Sequence, residues 1–531
     1  MRGRDIVILE IGNTRSKAVF ISNDEVREFY TDQGERTISS AVTITDAKAD
    51  VGNKYLEERY PDHVVRRAFR LLNRFENSSE AQEEMRYSSV PICVNDQGHL
   101  VYYLEGLRKD YWTVDEVVIQ IVTCLVSLCQ KSLDAPISRC AVVVPDGYSE
   151  SDQLYLKQLI EKKGIEVACM KCKSECIRYM LLEESGAFER DVSWQSGLVL
   201  LYSMGGCHFS ASVIRVPDDS IVITMMEAPR LNGLYITNQI IQYISDKVQQ
   251  RYECDLLSGV EGTPSWQKEY AKLARSVEEG LGCLHQLDEF YVSLPMTCKR
   301  AILRKWKREK KEVPEDFDTF EVSRSEIQRI LKPLVTQTLR ICEMCLEKAG
   351  ICKEDLFRVI PVGACCYNTI IQNELISFFG ESKVKTNCDM TMSSVKGLGY
   401  YVRDHLWSCL LETESKAIHE LSIVAITFPP EPSSSCASVS QDPTHLTRLP
   451  SSRPRLLVFF DAPLPRLYPS SPPSFPSFPS FPSSPSSPLQ ASRQPSLARL
   501  PLSSRFLRNR LPLPQVFLQS SPPSSPREGL R

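Results

Sequence analysis

Ile6-Val7-Ile8-Leu9-Glu10-Ile11-Gly12-Asn13-Thr14-Arg15-Ser16-Lys17-Ala18-Val19-Phe20-Ile21 holds two apolar runs separated by a short polar segment that carries one glycine. Runs of β-branched and aromatic residues bounded by turn-forming residues predict two strands joined as a hairpin. A glycine-bearing loop of this kind turns backbone N–H groups and the Thr14 hydroxyl toward one point, which is the construction that cradles a phosphate. Asp32-Gln33-Gly34-Glu35-Arg36-Thr37, the segment Ser39 to Asp46 and Val51-Gly52 follow in quick succession.

Further down the chain, β-branched runs alternate with helical patterns. Strands are expected at 141–144, 198–202, 210–216 and 220–226, with a turn at Pro217-Asp218-Asp219. Helices are expected near 151–163, 235–250, 268–285 and 325–348. This alternation predicts an α/β fold of two similar halves, each on a mixed sheet flanked by helices. The apolar stretch Val117 to Cys129, interrupted by Gln120, Thr123 and Ser127, is too short to span a bilayer and predicts an amphipathic core helix, with Thr113 and Glu116 spaced as a capping box.

The composition changes at Pro429. Of 34 prolines, 23 lie from there onward, and no lysine follows Lys416. Eleven Arg against four acids give that stretch +7, so with −3 overall the preceding residues carry −10. An acidic body argues against a nucleic-acid-binding surface. Repeats such as Ser474-Phe475-Pro476-Ser477-Phe478-Pro479 favour disordered chain that buries little, and an Arg-flanked Pro-rich tail is a possible ligand for aromatic-lined grooves. Nineteen irregularly spaced cysteines and no secretory leader point to a reducing, cytoplasmic setting. Cys169-x-x-Cys172 with Cys176, and Cys342-x-x-Cys345, have zinc-like spacing, but both fall on expected regular elements and read better as buried thiols, so no metal site is assigned.

Over residues 5 to 405 the chain resembles the nucleotide-binding domain of the DnaK-type heat shock protein 70 chaperones. The Gly12 loop and the Asp32–Thr37 segment match the start of that domain. Ala141 to Tyr148 resembles its Val-Pro-Ala-Tyr-Phe strand end. Tyr202-Ser203-Met204-Gly205-Gly206-Cys207-His208-Phe209-Ser210 stands where the family has Asp-Leu-Gly-Gly-Gly-Thr-Phe-Asp, Arg230 to Gly233 where it has Leu-Gly-Gly, and Arg358 to Tyr367 at its adenosine turn. The resemblance implies a two-lobed actin-like ATPase fold over 1–405, a linker at 406–428 and a Pro/Ser/Arg-rich tail at 429–531. It implies ATP or ADP with Mg2+ in the cleft, and co-chaperones or other chaperones as partners. Nothing resembles the family's peptide-binding domain.

The same resemblance assigns the candidate site. Glu10 takes the place of a family Asp as a magnesium or water carboxylate. Gly12, Asn13, Thr14, Gly205, Gly206 and Gly233 would form the phosphate loops, while Arg275, Glu278, Gly363 and Tyr367 would face the adenosine, with the charges of the family's Glu-x-x-Lys exchanged. Ser203 and Ser210 replace two family Asp residues, Lys173 replaces a Glu, and Phe69 falls at the catalytic lysine, with Arg67 or Arg70 near enough to reach phosphate instead. Loss of these charges predicts impaired hydrolysis, because phosphoryl transfer depends on electrostatic positioning. Two functions follow as expectations: an ATP-binding protein of the chaperone class with weak or absent hydrolysis, or a pseudo-ATPase scaffold. A small-metabolite kinase of the same fold is disfavoured, because no Asp follows a second-lobe strand to deprotonate a hydroxyl.

Overall fold

The computed structural model describes residues 6–187, 197–216, 222–228, 230–284, 287–312 and 317–406. All belong to one compact unit, Met1–Pro432. The expected turn at Pro217-Asp218-Asp219, the linker beyond Leu406 and the tail from Pro429 lie outside the described residues.

The chain builds one sheet plan twice. In the first sheet the strand order is Glu166–Cys172, Arg139–Val144, Ile6–Glu10, Arg15–Ser22 and Glu25–Glu28, with Thr37–Ser39 beside the start of Arg15–Ser22. Ile6–Glu10 runs antiparallel to Arg15–Ser22 and parallel to Arg139–Val144. The second sheet is Val222–Glu227, Phe209–Val216, Gly197–Met204 and Leu356–Val362, with the same directions. These are the mixed sheets flanked by helices expected of the actin-like fold.

Both sheets are apolar on both faces, so alternate residues serve separate cores. Val7, Leu9, Ala18 and Phe20 face one core with the helix Val114–Leu133, and Ile6, Ile8, Val19 and Ile21 face another with Val395 and Leu398 of the helix Ser393–Tyr401. In the second sheet Leu200, Tyr202 and Met204 pack against the helices Gly233–Tyr252 and Arg324–Ala349, while Val199 and Leu201 pack under Ile177 and Leu181 of the helix Lys173–Ala187. Each sheet is thus covered on one face by a helix that lies where the lobes join.

The helix Val114–Leu133 begins at a capping box of Thr113 and Glu116, as expected. It is longer than the Val117–Cys129 run, and by length and composition it could cross a membrane. Val117, Val118, Ile121, Val122 and Leu125 are nevertheless buried in the first-lobe core. Cys176, Cys342 and Cys345 are buried free thiols, and no group of three or more His, Cys, Asp or Glu among the described residues is arranged to hold a metal ion.

Candidate functional site

The first loop is tight because of Gly12. A Cβ there would lie 2.0 Å from the Arg15 carbonyl oxygen. Gly12 donates its N–H to Ser16 Oγ at 3.1 Å, the Ser16 and Ser40 hydroxyls lie 2.8 Å apart, and Ser40 N–H donates to the Thr14 carbonyl at 2.9 Å. Arg15 clamps the loop from outside by donating to Thr37 Oγ1 and Glu35 Oε2, both at 2.6 Å. Asn13 Oδ1 is buried and receives no hydrogen bond.

The second loop meets the first directly. A Cβ on Gly206 would sit 2.4 Å from the Thr14 methyl carbon. Gly233 donates its N–H to the Gly205 carbonyl at 3.1 Å, and a Cβ on it would meet Cys365 Sγ at 2.9 Å and Gly206 Cα at 3.2 Å. Gly363, with φ of +98°, lets its strand end approach Met204, whose carbonyl oxygen would be 2.3 Å from an added Cβ. Gly12, Asn13, Thr14, Gly205, Gly206, Gly233 and Gly363 therefore converge from four parts of the chain. Burial pushes the thiols of Cys207 and Cys365 up to about 12, so both are neutral packing groups.

Glu10 lies at the floor of this cleft inside a ring of cations. Its carboxylate is 3.1 Å from Lys17 Nζ and 3.9 Å from Lys173 Nζ, and it accepts a hydrogen bond from the Ser394 hydroxyl. Burial alone would raise the Glu10 pKa, but Lys17, Lys173 and Ser394 outweigh it and hold the group below its ordinary 4.5. For Lys17 burial wins over the attraction of Glu10 and the value falls. Lys17 also donates to the Thr391 carbonyl and is committed, whereas Lys173 Nζ makes no hydrogen bond among the described residues. Ser203 and Ser210 face each other across the adjacent strands, both buried. Beside them His208 Nε2 lies 3.2 Å from Glu227 Oε1, within ion-pair reach but not aligned as a hydrogen bond.

The structure gives Arg67 and Arg70 a different task from the phosphate contact expected of them. Both bind Glu84: Arg67 Nε lies 2.8 and 3.0 Å from its two oxygens, and Arg70 Nη1 lies 3.0 Å from Oε1. Phe69 is buried with its ring against Tyr148 at 5.6 Å, so the position carries no charge. Arg275 is bound to Glu279 at 3.0 Å and to Glu58 of the first lobe at 3.3 Å. It lines a small open crevice with Glu278, Arg66, Arg67 and Tyr270. The Glu278 carboxylate opens into that crevice although protein surrounds it, and this enclosure raises its pKa. Tyr367 is exposed, its hydroxyl 3.5 Å from Asp389, which Arg36 also binds at 2.7 Å. Sequence reading missed Lys17, whose signal was a lysine inside an apolar strand.

The family model described as Hsp70 protein matches residues 6–393. This chain belongs to the Hsp70 family. It is 20% identical over 378 residues to the mitochondrial-type heat shock protein 70 of Encephalitozoon cuniculi, covering 71% of this chain and 59% of that protein. It is likewise 20% identical over 390 residues to heat shock 70-related protein 5 of Dictyostelium discoideum, covering 71% of each. The chain thus spans somewhat under two thirds of the first of these relatives.

Hsp70 nucleotide-binding domains take ATP or ADP with Mg2+. The donor set at the floor of this Hsp70 cleft does not fit that ion. Mg2+ requires oxygen ligands, usually carboxylates and waters. Here the carboxylate is already paired with two ammonium groups and the neighbouring serines are neutral. A divalent cation about 4 Å from one ammonium is repelled by about 8 kcal/mol at an effective dielectric constant near 20, so Lys17 and Lys173 together oppose it strongly. Lys173, by contrast, offers an anion N–H donors that no described residue uses.

Proposed function

We propose that this Hsp70-family protein binds an adenine nucleotide in its cleft as a member of the chaperone class, and hydrolyses it weakly or not at all. One observation carries the reading: the two loops keep Gly12, Gly205, Gly206 and Gly233 where a Cβ would break their close approach, while Ser203, Ser210, Lys173 and Phe69 stand where the charged machinery would be. Removing a single preorganised transition-state group costs roughly a hundred- to a thousand-fold in rate, whereas backbone cradles bind without those charges. In this reading Glu10 pairs with the two lysines and does not order a metal-bound water. Gly12, Asn13, Thr14, Gly205, Gly206 and Gly233 hold the phosphates, and Arg275, Glu278, Gly363 and Tyr367 border the adenosine end. Co-chaperones or other chaperones are the proposed partners. The many free thiols support a reducing compartment, and we place the protein in the cytoplasm.

The second reading, a pseudo-ATPase scaffold that works through its surfaces, is favoured by the contact of Thr14 with Gly206, which leaves the loops touching. Thermal unfolding of the full chain with millimolar ATP or ADP separates the two, since a ligand of the folded state raises the midpoint. A rise, with no product in single-turnover hydrolysis, supports nucleotide binding. An unchanged midpoint leaves the scaffold.

A further inference from the structure

The ring around Glu10 has a consequence that the loss of catalytic charges does not require. Loss alone would leave a weakened metal site, but this cleft has gained a cation. Lys173 is the first residue of the helix Lys173–Ala187, which packs under the second sheet. It lies 3.9 Å from Glu10 and within electrostatic range of Asp146 in the first lobe and of Cys365, whose sulfur adjoins Gly233 and Gly206. Asp146 does not bind it, because that carboxylate accepts hydrogen bonds from the Ser174 N–H at 2.8 Å and hydroxyl at 2.7 Å. The Lys173 side chain is 17% exposed, and its three donors are unused among the described residues.

We propose that Lys173 is a built-in replacement for the divalent cation, so that the cleft binds a nucleoside di- or triphosphate without Mg2+, with the Lys173 ammonium donating directly to phosphate oxygen. Lys17 pairs with Glu10, which leaves the Lys173 ammonium for the ligand. Lys173 is a binding residue in this scheme and takes no part in bond breaking. The inference rests on the nucleotide-binding reading above.

Titration of the full-length protein with a fluorescent ATP analogue, in excess EDTA and in millimolar Mg2+, tests it. The expected result is the same affinity in both buffers. Lys173→Met should weaken binding about tenfold or more in each, the loss of one charge-assisted hydrogen bond. Lys173→Glu should bind only when Mg2+ is supplied. If EDTA weakens the unsubstituted protein tenfold, the inference is wrong while the nucleotide reading stands. If Lys173→Met binds as well as the parent, the assignment to Lys173 is wrong. Absence of binding in both buffers overturns the nucleotide reading and the inference with it.

Discussion

Glu84 is 1% exposed and receives Arg67 and Arg70, so these arginines form a structural triad beside the cleft. Breaking a buried pair costs about 3–5 kcal/mol, because the remaining charges lose their partner. Glu84→Gln should therefore destabilise the fold by an amount in this range, measured by denaturant unfolding. A loss below 1 kcal/mol would show that the triad is solvated. Glu10 gives a pH signature. Its folded pKa is held below 4.5, so its contribution is fully present above pH 4.5 and disappears as pH falls through the depressed value. Comparing Glu10→Gln with the parent, the stability difference should be largest near neutrality and shrink in acid below pH 4.5. A difference that grows in acid would contradict the arrangement.

The helices Lys173–Ala187 and Ser393–Tyr401, each of which covers one sheet, meet closely. A Cβ on Gly397 would lie 1.8 Å from the Cys176 carbonyl oxygen, so the helices approach backbone to backbone. Gly397→Ala must part them. Overpacking of this kind costs about 1–3 kcal/mol or more, against a small gain in helix propensity of about 1 kcal/mol. A net loss of melting temperature is expected, whereas Gly282→Ala, in open space on another helix, should not lower it. The strands around Gly12 are legible in the sequence because continuous β-branched apolar runs and turn glycines are local signals. Gly205 and Gly206 are legible for the same reason. The Gly397 contact is not, since it joins segments more than 200 residues apart. Nor is the fate of Lys17, whose carbonyl acceptor Thr391 is 374 positions away. The reading of Arg67 and Arg70 as phosphate ligands went astray for this kind of reason: their acceptor Glu84 lies on the helix Ser79–Tyr87, and charge pairing across elements leaves no periodic trace.

Across the whole molecule, the lobes also touch at the outer end of the cleft. Gln267 donates to the Met85 carbonyl at 2.7 Å and the Arg86 carbonyl at 3.2 Å, and the Tyr87 ring packs on Tyr270 at 4.9 Å and Trp266 at 6.0 Å. Ion pairs flank this contact, Lys268 with Asp62 at 3.1 Å and Arg275 with Glu58 at 3.3 Å. Magnitudes decide which closes the lobes. Exposed ion pairs contribute at most about 1 kcal/mol each and weaken in salt. Burying an aromatic ring contributes roughly 2 kcal/mol, with a further 0.5–1.5 from ring pairing, and does not depend on salt. Tyr87→Ala should therefore open the lobes, seen as a larger radius of gyration in solution scattering and faster hydrogen exchange at residues 85–87 and 264–270. Arg275→Ala should change neither. The opposite pattern, with opening by Arg275→Ala or by salt alone, would make the closure electrostatic. The choice matters for ligand entry. On the proposed nucleotide-binding reading, with Thr14 against Gly206 and the Tyr87 ring on Tyr270, entry to the loops requires the lobes to part. Tyr87→Ala should accordingly speed both association and release in stopped-flow binding, changing the rates more than their ratio.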